Sequence, residues 1–354
     1  MTLIHGGQLQ QVAKQYQIPI NDWLDLSTGI APLSYPIPEI PLSLWQQLPQ
    51  KSEGLIAAAS SYYLGDDCSQ KVLVTNGSQS IIKALPLLWR AHNPKTQQVY
   101  VPRRGYKEHG HAWQQENFPL SFYEHELPEL NTLQENCVLV IINPNNPTGT
   151  LFNKAKLKQY QQKVTELNGL LVIDEAFIDV IPELATESVS MAAEVTCEHT
   201  LVLRSFGKFF GLAGIRLGFL ITDDYWYQVF TQYLGPWQVN GPAQFIAEQA
   251  LVDAQWHITQ RRLLNELRVK QTQLLWQCWG DNIIDTLNAT DLFITVSFKC
   301  QSSAASLYHK LCLQGVYVRL ADERDTLRFG IVKVQDRERL VKALNRALTE
   351  VRFK

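Results

Sequence analysis

The sequence is poor in what several protein classes require. It has no stretch of about 18 consecutive apolar residues, so a membrane-spanning helix is not expected. Its first residues, Met1-Thr2-Leu3-Ile4-His5-Gly6-Gly7, lack a basic segment followed by a long apolar one, which argues against a signal peptide. The six cysteines, at positions 68, 137, 197, 278, 300 and 312, form no C-x-x-C pair, so neither a zinc site nor a disulfide framework is indicated. Several lie in apolar runs and read as buried thiols in a reducing compartment. A net charge of -2 gives no electrostatic case for nucleic acid or an anionic membrane. Asn76-Gly77-Ser78 and Asn288-Ala289-Thr290 match a glycosylation pattern, but without a secretion signal they read as chance matches. There is no internal repeat and no low-complexity segment. What is present is an ordinary globular composition, 45% apolar and 19% charged over 354 residues. That length allows about two domains, and a cytoplasmic enzyme is the expectation.

Residues 1–50 carry prolines at 19, 32, 36, 38, 41 and 49 and read as an extended arm that wraps another part of the chain. A helix is expected over residues 53–63, ended by Gly65. A rhythm then begins. Short apolar runs at 71–74, 99–101, 120–123, 137–142, 169–173, 200–203 and 217–221 read as strands, with helical patterns at 81–89, 106–116 and 154–167. Continuous apolar strands alternating with helices predict an α/β fold with a largely parallel sheet covered on both faces. Residues 51–240 would form this large domain. Beyond it a long helix is expected over about 241–278, then strands at 293–298, 316–318 and 326–330 and helices at 304–314 and 336–351. Residues 241–354 thus read as a connecting helix and a smaller α+β domain.

In open α/β sheets ligands bind beyond the carboxyl ends of the strands, and the polar residues collect there. Gly77-Ser78-Gln79 opens a helix whose free N–H groups suit a phosphate, although a plain helix cap reads equally from those residues. Tyr106 and His109 share a helical face, one able to stack on a flat ring and the other to orient a carboxylate behind it. Core or surface roles are open to both. Asn143-Pro144-Asn145-Asn146-Pro147-Thr148-Gly149 is a turn stiffened by two prolines, from which Asn146 could donate to a phenolic oxygen. Asp174 ends a strand that is otherwise apolar and needs a partner, either a protonated pyridine nitrogen or a helix cap or salt bridge. The densest stretch is residues 205–218, where Ser205, Lys208 and Arg216 stand among glycines. A lysine there can form a Schiff base with a carbonyl cofactor, while Ser205 and Arg216 hold its phosphate. Alone, this stretch also fits a Gly-rich surface loop with solvated cations.

The order of these signals resembles the fold-type I pyridoxal-phosphate enzymes, the aspartate aminotransferase superfamily, over essentially the whole chain. The resemblance implies that Lys208 binds pyridoxal 5'-phosphate covalently and that Asp174 pairs with the pyridine nitrogen, making the ring an electron sink. It implies that Asn146 contacts the phenolic oxygen, that Tyr106 covers the ring, and that Gly77, Ser78, Gln79, Ser205 and Arg216 hold the phosphate. Arg328, in Leu327-Arg328-Phe329, matches the arginine that clamps a substrate carboxylate. It also implies a homodimer with the pocket at the subunit interface.

Within that superfamily, His5-Gly6-Gly7, residues 23–29, Tyr106-Lys107-Glu108-His109 with Ala112-Trp113, and residues 174–179 look like the threonine-phosphate decarboxylases of cobalamin synthesis, close relatives of histidinol-phosphate aminotransferase. Phe177 stands where related aminotransferases usually have a tyrosine, and Leu48 near where many have a tyrosine that reaches the partner's cofactor phosphate. Decarboxylation requires the substrate carboxylate to stand perpendicular to the cofactor ring, so the substrate's other end, its phosphate, must be anchored. His5 and Ser27 of the arm and Arg319 are the candidates, with Gly29 and Asn146 as further substrate contacts. The resemblance therefore implies conversion of O-phospho-L-threonine to (R)-1-aminopropan-2-yl phosphate and carbon dioxide. The alternatives are an aminotransferase acting on histidinol phosphate or a similar phosphorylated amine, and a catalytically idle cofactor-binding partner of a cobalamin-pathway protein.

Overall fold

The computed structural model describes residues 6–65, 71–181 and 189–349. His5 and Cys68 lie outside the described residues. The chain divides into two compact units, one holding residues 35–146 and 150–257 and the other the remaining described residues.

The larger unit is built on a seven-stranded sheet. Its spatial order is Lys71–Thr75, Gly218–Thr222, Thr200–Ser205, Leu170–Asp174, Val138–Ile142, Val99–Pro102 and Leu120–Tyr123. Five of these strands run parallel to their neighbours, and Gly218–Thr222 lies antiparallel between Thr200–Ser205 and Lys71–Thr75. The central strands are buried at every position, as their unbroken apolar sequences require when helices cover both faces. Each such Leu or Ile contributes roughly 1.5–3 kcal/mol through burial. Trp89, Trp113, Trp226 and Phe230 pack with strand residues of this sheet in one apolar cluster.

The helices begin where polar side chains can satisfy their first amides. Asn153 accepts from Lys156 N–H at 2.8 Å, Asp223 from Trp226 N–H at 3.1 Å and Asn240 from Ala243 N–H at 2.8 Å. The long helix expected over 241–278 is in fact two, Gly241–Val252 and Ala254–Trp279. Asp253 causes the break: its carboxylate accepts from Trp256 N–H at 3.0 Å and caps a new helix. A helix not anticipated from the sequence, Asp224–Leu234, follows the strand Gly218–Thr222.

The smaller unit holds a four-stranded antiparallel sheet in the order Arg319–Leu320, Thr326–Gly330, Phe293–Phe298 and Ile284–Thr290. Leu307, Leu311, Leu340 and Leu344, from the helices Ser302–Leu313 and Arg337–Thr349, join its buried cluster. The N-terminal segment is more structured than its prolines suggest. It forms the helix Leu9–Tyr16, and Leu24–Asp25 pairs in parallel with Val316–Tyr317. Leu26 then accepts from Gly330 N–H at 2.7 Å, which fixes the segment against the end of the strand Thr326–Gly330.

Candidate active site

Three strand ends and one helix start of the larger unit converge on an open cavity of about 690 Å³, counted out to its mouth. Gly77, Ser78, Gln79, Tyr106, Asn146, Asp174, Ser205, Lys208 and Arg216 all line it. These are all the residues read from the sequence as cofactor contacts. Ile142, Ala176, Phe177, Gly207, Ala213 and Leu217 complete the wall.

One end of the cavity suits an anion. The helix Ser78–His92 starts after Gly77 with no side chain capping its first turn, so its amides and dipole face the cavity. Ser205 likewise spends no hydrogen bond on capping the turn Phe206–Phe209. Arg216 adopts a left-handed backbone conformation, with φ 55°, and its Nη1 donates to the Ala213 carbonyl at 2.9 Å. Its guanidinium lies so close over Gly77 that a Cβ there would sit 3.1 Å from Nη2. Gly77 itself has φ 70°, a conformation that favours glycine, whereas the two glycines packed around it are required for contact. A Cβ on Gly218 would fall 2.9 Å from the Gly77 Cα, and one on Gly207 would fall 2.6 Å from the Ala213 Cα. Amides, a hydroxyl and a guanidinium around one concavity are the donor set of a phosphate site.

The middle of the cavity suits a flat ring with a basic nitrogen. Asp174 is 3% exposed at the end of its strand. One carboxylate oxygen accepts from Ala176 N–H at 3.0 Å, and the other lies 2.8 Å from His109 Nε2. His109 therefore orients Asp174 from behind, one of the two roles its spacing from Tyr106 allowed. Tyr106 lines the same cavity and donates to Gln79 Oε1 at 3.0 Å, while Gln79 Nε2 donates to Glu108 at 2.7 Å. Burial, with the nearby Glu108 charge, pushes the Tyr106 phenol above its ordinary range, so it is a neutral donor at any working pH. The amide turn is fixed by Asn143, which accepts from Phe152 N–H at 2.8 Å, and by Asn145, which donates to the Arg104 carbonyl at 2.7 Å. The Asn143–Pro144 peptide is cis. Lys208 is half-buried on the turn after Ser205, with its Nζ 5.6 Å from the centre of the Phe177 ring.

The smaller unit holds a second set of polar residues. Arg319 and Arg328 are directly paired across adjacent antiparallel strands. Arg328 Nη2 donates to the Ser27 carbonyl at 2.6 Å, and Arg319 Nη2 to Asp322 at 2.7 Å. Burial, and then the Arg319 charge, pull the Arg328 guanidinium down to about 10. An anion seated against the pair would reverse that shift. Ser27 is fully buried, and its hydroxyl donates to Asp25 at 2.7 Å and accepts from Gly7 N–H at 2.8 Å. Its hydroxyl is thus turned to the arm itself, and its carbonyl is what meets Arg328. Gly29 is buried in the same segment.

Sequence reasoning passed over Arg204. It lies in the strand Thr200–Ser205, is 4% exposed, and forms ion pairs with Glu175 and Asp179, themselves 0% and 4% exposed. The available signal was an arginine at the end of an apolar strand and a second carboxylate directly after Asp174.

A family model described as aminotransferase class I and II matches residues 46–344. A threonine-phosphate decarboxylase of Pseudomonas aeruginosa is 38% identical over 93% of this chain and 93% of its own. One from a Sinorhizobium species is 32% identical, with the same coverage of both chains. Among solved structures, the histidinol-phosphate aminotransferase of Sinorhizobium meliloti in complex with pyridoxal-5'-phosphate gives a TM-score of 0.77 at 17% identity, over 99% of this chain and 95% of that one. At that identity the structural likeness is one of fold. The chain belongs to the aminotransferase class I and II family.

Proposed function

We propose that the protein is a pyridoxal 5'-phosphate enzyme that decarboxylates O-phospho-L-threonine to (R)-1-aminopropan-2-yl phosphate and carbon dioxide, a step in cobalamin synthesis. The observation that carries this reading is the likeness, over nearly the full length of both chains, to threonine-phosphate decarboxylases. The donor set of the cavity fits the cofactor. Ser78, Gln79, Ser205 and Arg216 would hold its phosphate, with Gly77 leaving room for it. Asp174 would accept from the ring nitrogen, Asn146 would donate to the phenolic oxygen, Tyr106 would cover the ring and Lys208 would form the covalent link. When bound, pyridoxal phosphate takes up the electron pair left as the Cα–carboxylate bond breaks.

The protein's own residues would do the rest. The His109 contact holds the Asp174 carboxylate in place. Lys208 Nζ would return a proton to Cα after carbon dioxide leaves, which balances the reaction without any acceptor. Arg328 and Arg319 would bind the substrate's two anionic ends, the first its carboxylate and the second its phosphate. Ser27 would serve through its carbonyl, holding Arg328, and Gly29 would belong to the same binding segment. His5 is proposed as a further phosphate contact. The decisive assay supplies O-phosphothreonine with no keto acid and measures carbon dioxide. Product that forms only after a keto acid is added would overturn the decarboxylase reading in favour of an aminotransferase.

We further propose that two copies assemble. Leu42, Trp45 and Leu48 are 66%, 63% and 60% exposed in one short segment, more apolar surface than a solvated segment carries. Light scattering that gives the mass of a single 40.4 kDa chain would reject this. Among the described residues no helix is long and apolar enough to cross a membrane, and no cluster of side chains is set for a metal ion. A cytoplasmic location remains part of the proposal.

A further inference from the structure

Behind the cavity of the larger unit lies a second, buried cluster of charge. Arg204 Nη1 donates to Glu175 Oε2 at 2.8 Å and to Ser190 Oγ at 3.2 Å, and Nη2 pairs with Asp179. Glu175 is held from its other side, accepting from Ser190 Oγ at 2.6 Å and from Met191 N–H at 2.7 Å. The guanidinium lies 4.4 Å from the centre of the buried Tyr63 ring. Such a cluster is a poor way to add stability, because the cost of desolvating three ions largely offsets their attraction. Its position supplies another reason for it. Successive side chains of a strand point to opposite faces. Arg204 immediately precedes Ser205, which lines the cavity, and Glu175 immediately follows Asp174, which also lines it. The Glu175 N–H to Leu203 carbonyl bond, at 2.9 Å, joins the same two strand ends through the backbone. The second carboxylate, Asp179, closes a short loop over residues 175–179 whose middle residue, Phe177, faces Lys208.

We propose that Arg204 is a positioning residue for the cofactor pocket. From the reverse side of the strand ends, its fork holds Glu175 and Asp179 and thereby sets Ser205, Asp174 and Phe177 at the spacing that a pyridoxal ring and its phosphate need. This rests on the pyridoxal phosphate reading of the cavity. Lysine at position 204 would keep the charge but has one ammonium where the fork has two faces, so it cannot hold both carboxylates in the same geometry. Asp179→Asn would weaken only the half of the clamp that governs Phe177.

The test compares Arg204→Lys and Asp179→Asn with wild type and with Trp226→Phe, a destabilising change in the apolar cluster under the sheet. Tryptophan quenching by added pyridoxal phosphate gives the dissociation constant of each apo protein, and thermal melting gives its stability. Both clamp variants should bind the cofactor about tenfold more weakly, the scale of losing a supporting residue behind a ligand. Their kcat should fall while KM for O-phosphothreonine stays within about twofold, since the arginines of the smaller unit are untouched. Trp226→Phe should melt earlier yet keep wild-type cofactor affinity. Wild-type affinity in a folded Asp179→Asn protein would overturn the proposal even if Arg204→Lys failed to fold. Affinity that merely tracked melting temperature across all three variants would overturn it too. A crystal structure of apo Asp179→Asn decides the positioning claim without the cofactor. Phe177 should shift in it, and an unmoved Phe177 would reject the clamp whether or not the wild type binds pyridoxal phosphate.

Discussion

The two units handle charge in opposite ways. In the larger one, the polar atoms of the cavity are backed by fixed partners: His109 behind Asp174, Glu108 behind Gln79 and the Arg204 cluster behind two strand ends. In the smaller one, two arginines face each other across a strand pair, and the burial and mutual repulsion of their charges depress Arg328. The first arrangement is finished before any ligand arrives, whereas the second, although Arg328 holds the Ser27 carbonyl and Arg319 holds Asp322, keeps two like charges together that an anion would offset. A cofactor that stays bound through many turnovers suits the first kind of site, and a substrate that must leave suits the second.

The contrast can be broken most directly at Lys208. Lys208→Ala should abolish turnover, by at least about 10⁴-fold, because both the covalent link and the returned proton depend on one nitrogen. The visible absorption of the bound cofactor should change with it, and any retained carbon dioxide release would remove the lysine from the mechanism. Arg328→Met should come next, with kcat/KM falling roughly 10²–10³-fold through loss of a bidentate charged pair. Cofactor affinity should stay at the wild-type value. If cofactor affinity fell as well, the division of labour between the units would be wrong.

The parts of this arrangement differ in how readily the sequence reveals them, for physical reasons. The parallel sheet is readable because fully buried strands must be apolar throughout, as at 138–142 and 170–173. The cofactor cavity is readable because its residues sit at successive strand ends in an order that few chemistries share. The break at Asp253 is not, since one capping carboxylate inside a helical pattern looks like an exposed helix residue. The Arg204 cluster escapes because its members lie far apart in the chain, and only the pairing of Leu170–Asp174 with Thr200–Ser205 brings them together. The helix in the arm is hidden for a different reason. The six prolines of that segment all follow Leu9–Tyr16 rather than interrupt it, so their number says little about it.

A smaller effect sharpens the account of the larger unit. Gly207→Ala would place a methyl group 2.6 Å from the Ala213 Cα, on the turn that carries Lys208. The backbone must move to relieve that contact, at a cost of about 1–3 kcal/mol. Melting should fall by several degrees and cofactor affinity with it, while Gly280→Ala, whose added Cβ meets nothing within 4 Å but whose φ of 66° strains any side chain, should lower melting and leave the affinity alone. Equal losses of affinity would mean that the cradle tolerates displacement and is not prebuilt.

The smallest effect concerns the arginine pair itself and turns on its sign. Burial and then the Arg319 charge pull Arg328 down to about 10 in the fold, below its ordinary value, so between the two the folded chain binds fewer protons than the unfolded one. The charged form therefore costs stability at neutral pH, and the cost fades as pH rises through about 10. Removing the like charge by Arg319→Gln should relieve part of it, against the loss of one i,i+3 ion pair with Asp322 worth at most a few tenths of a kcal/mol. In low salt near neutral pH the variant should melt at or slightly above the wild-type temperature, by about 1–3 °C. Inorganic phosphate should then raise the wild-type melting temperature more than the variant's, because only the wild type presents two guanidiniums to one anion. A variant that melted well below wild type and responded equally to phosphate would mean that Asp322 already satisfies Arg319. The anion-completed half of the comparison would then fall, leaving Arg328 as a single clamp.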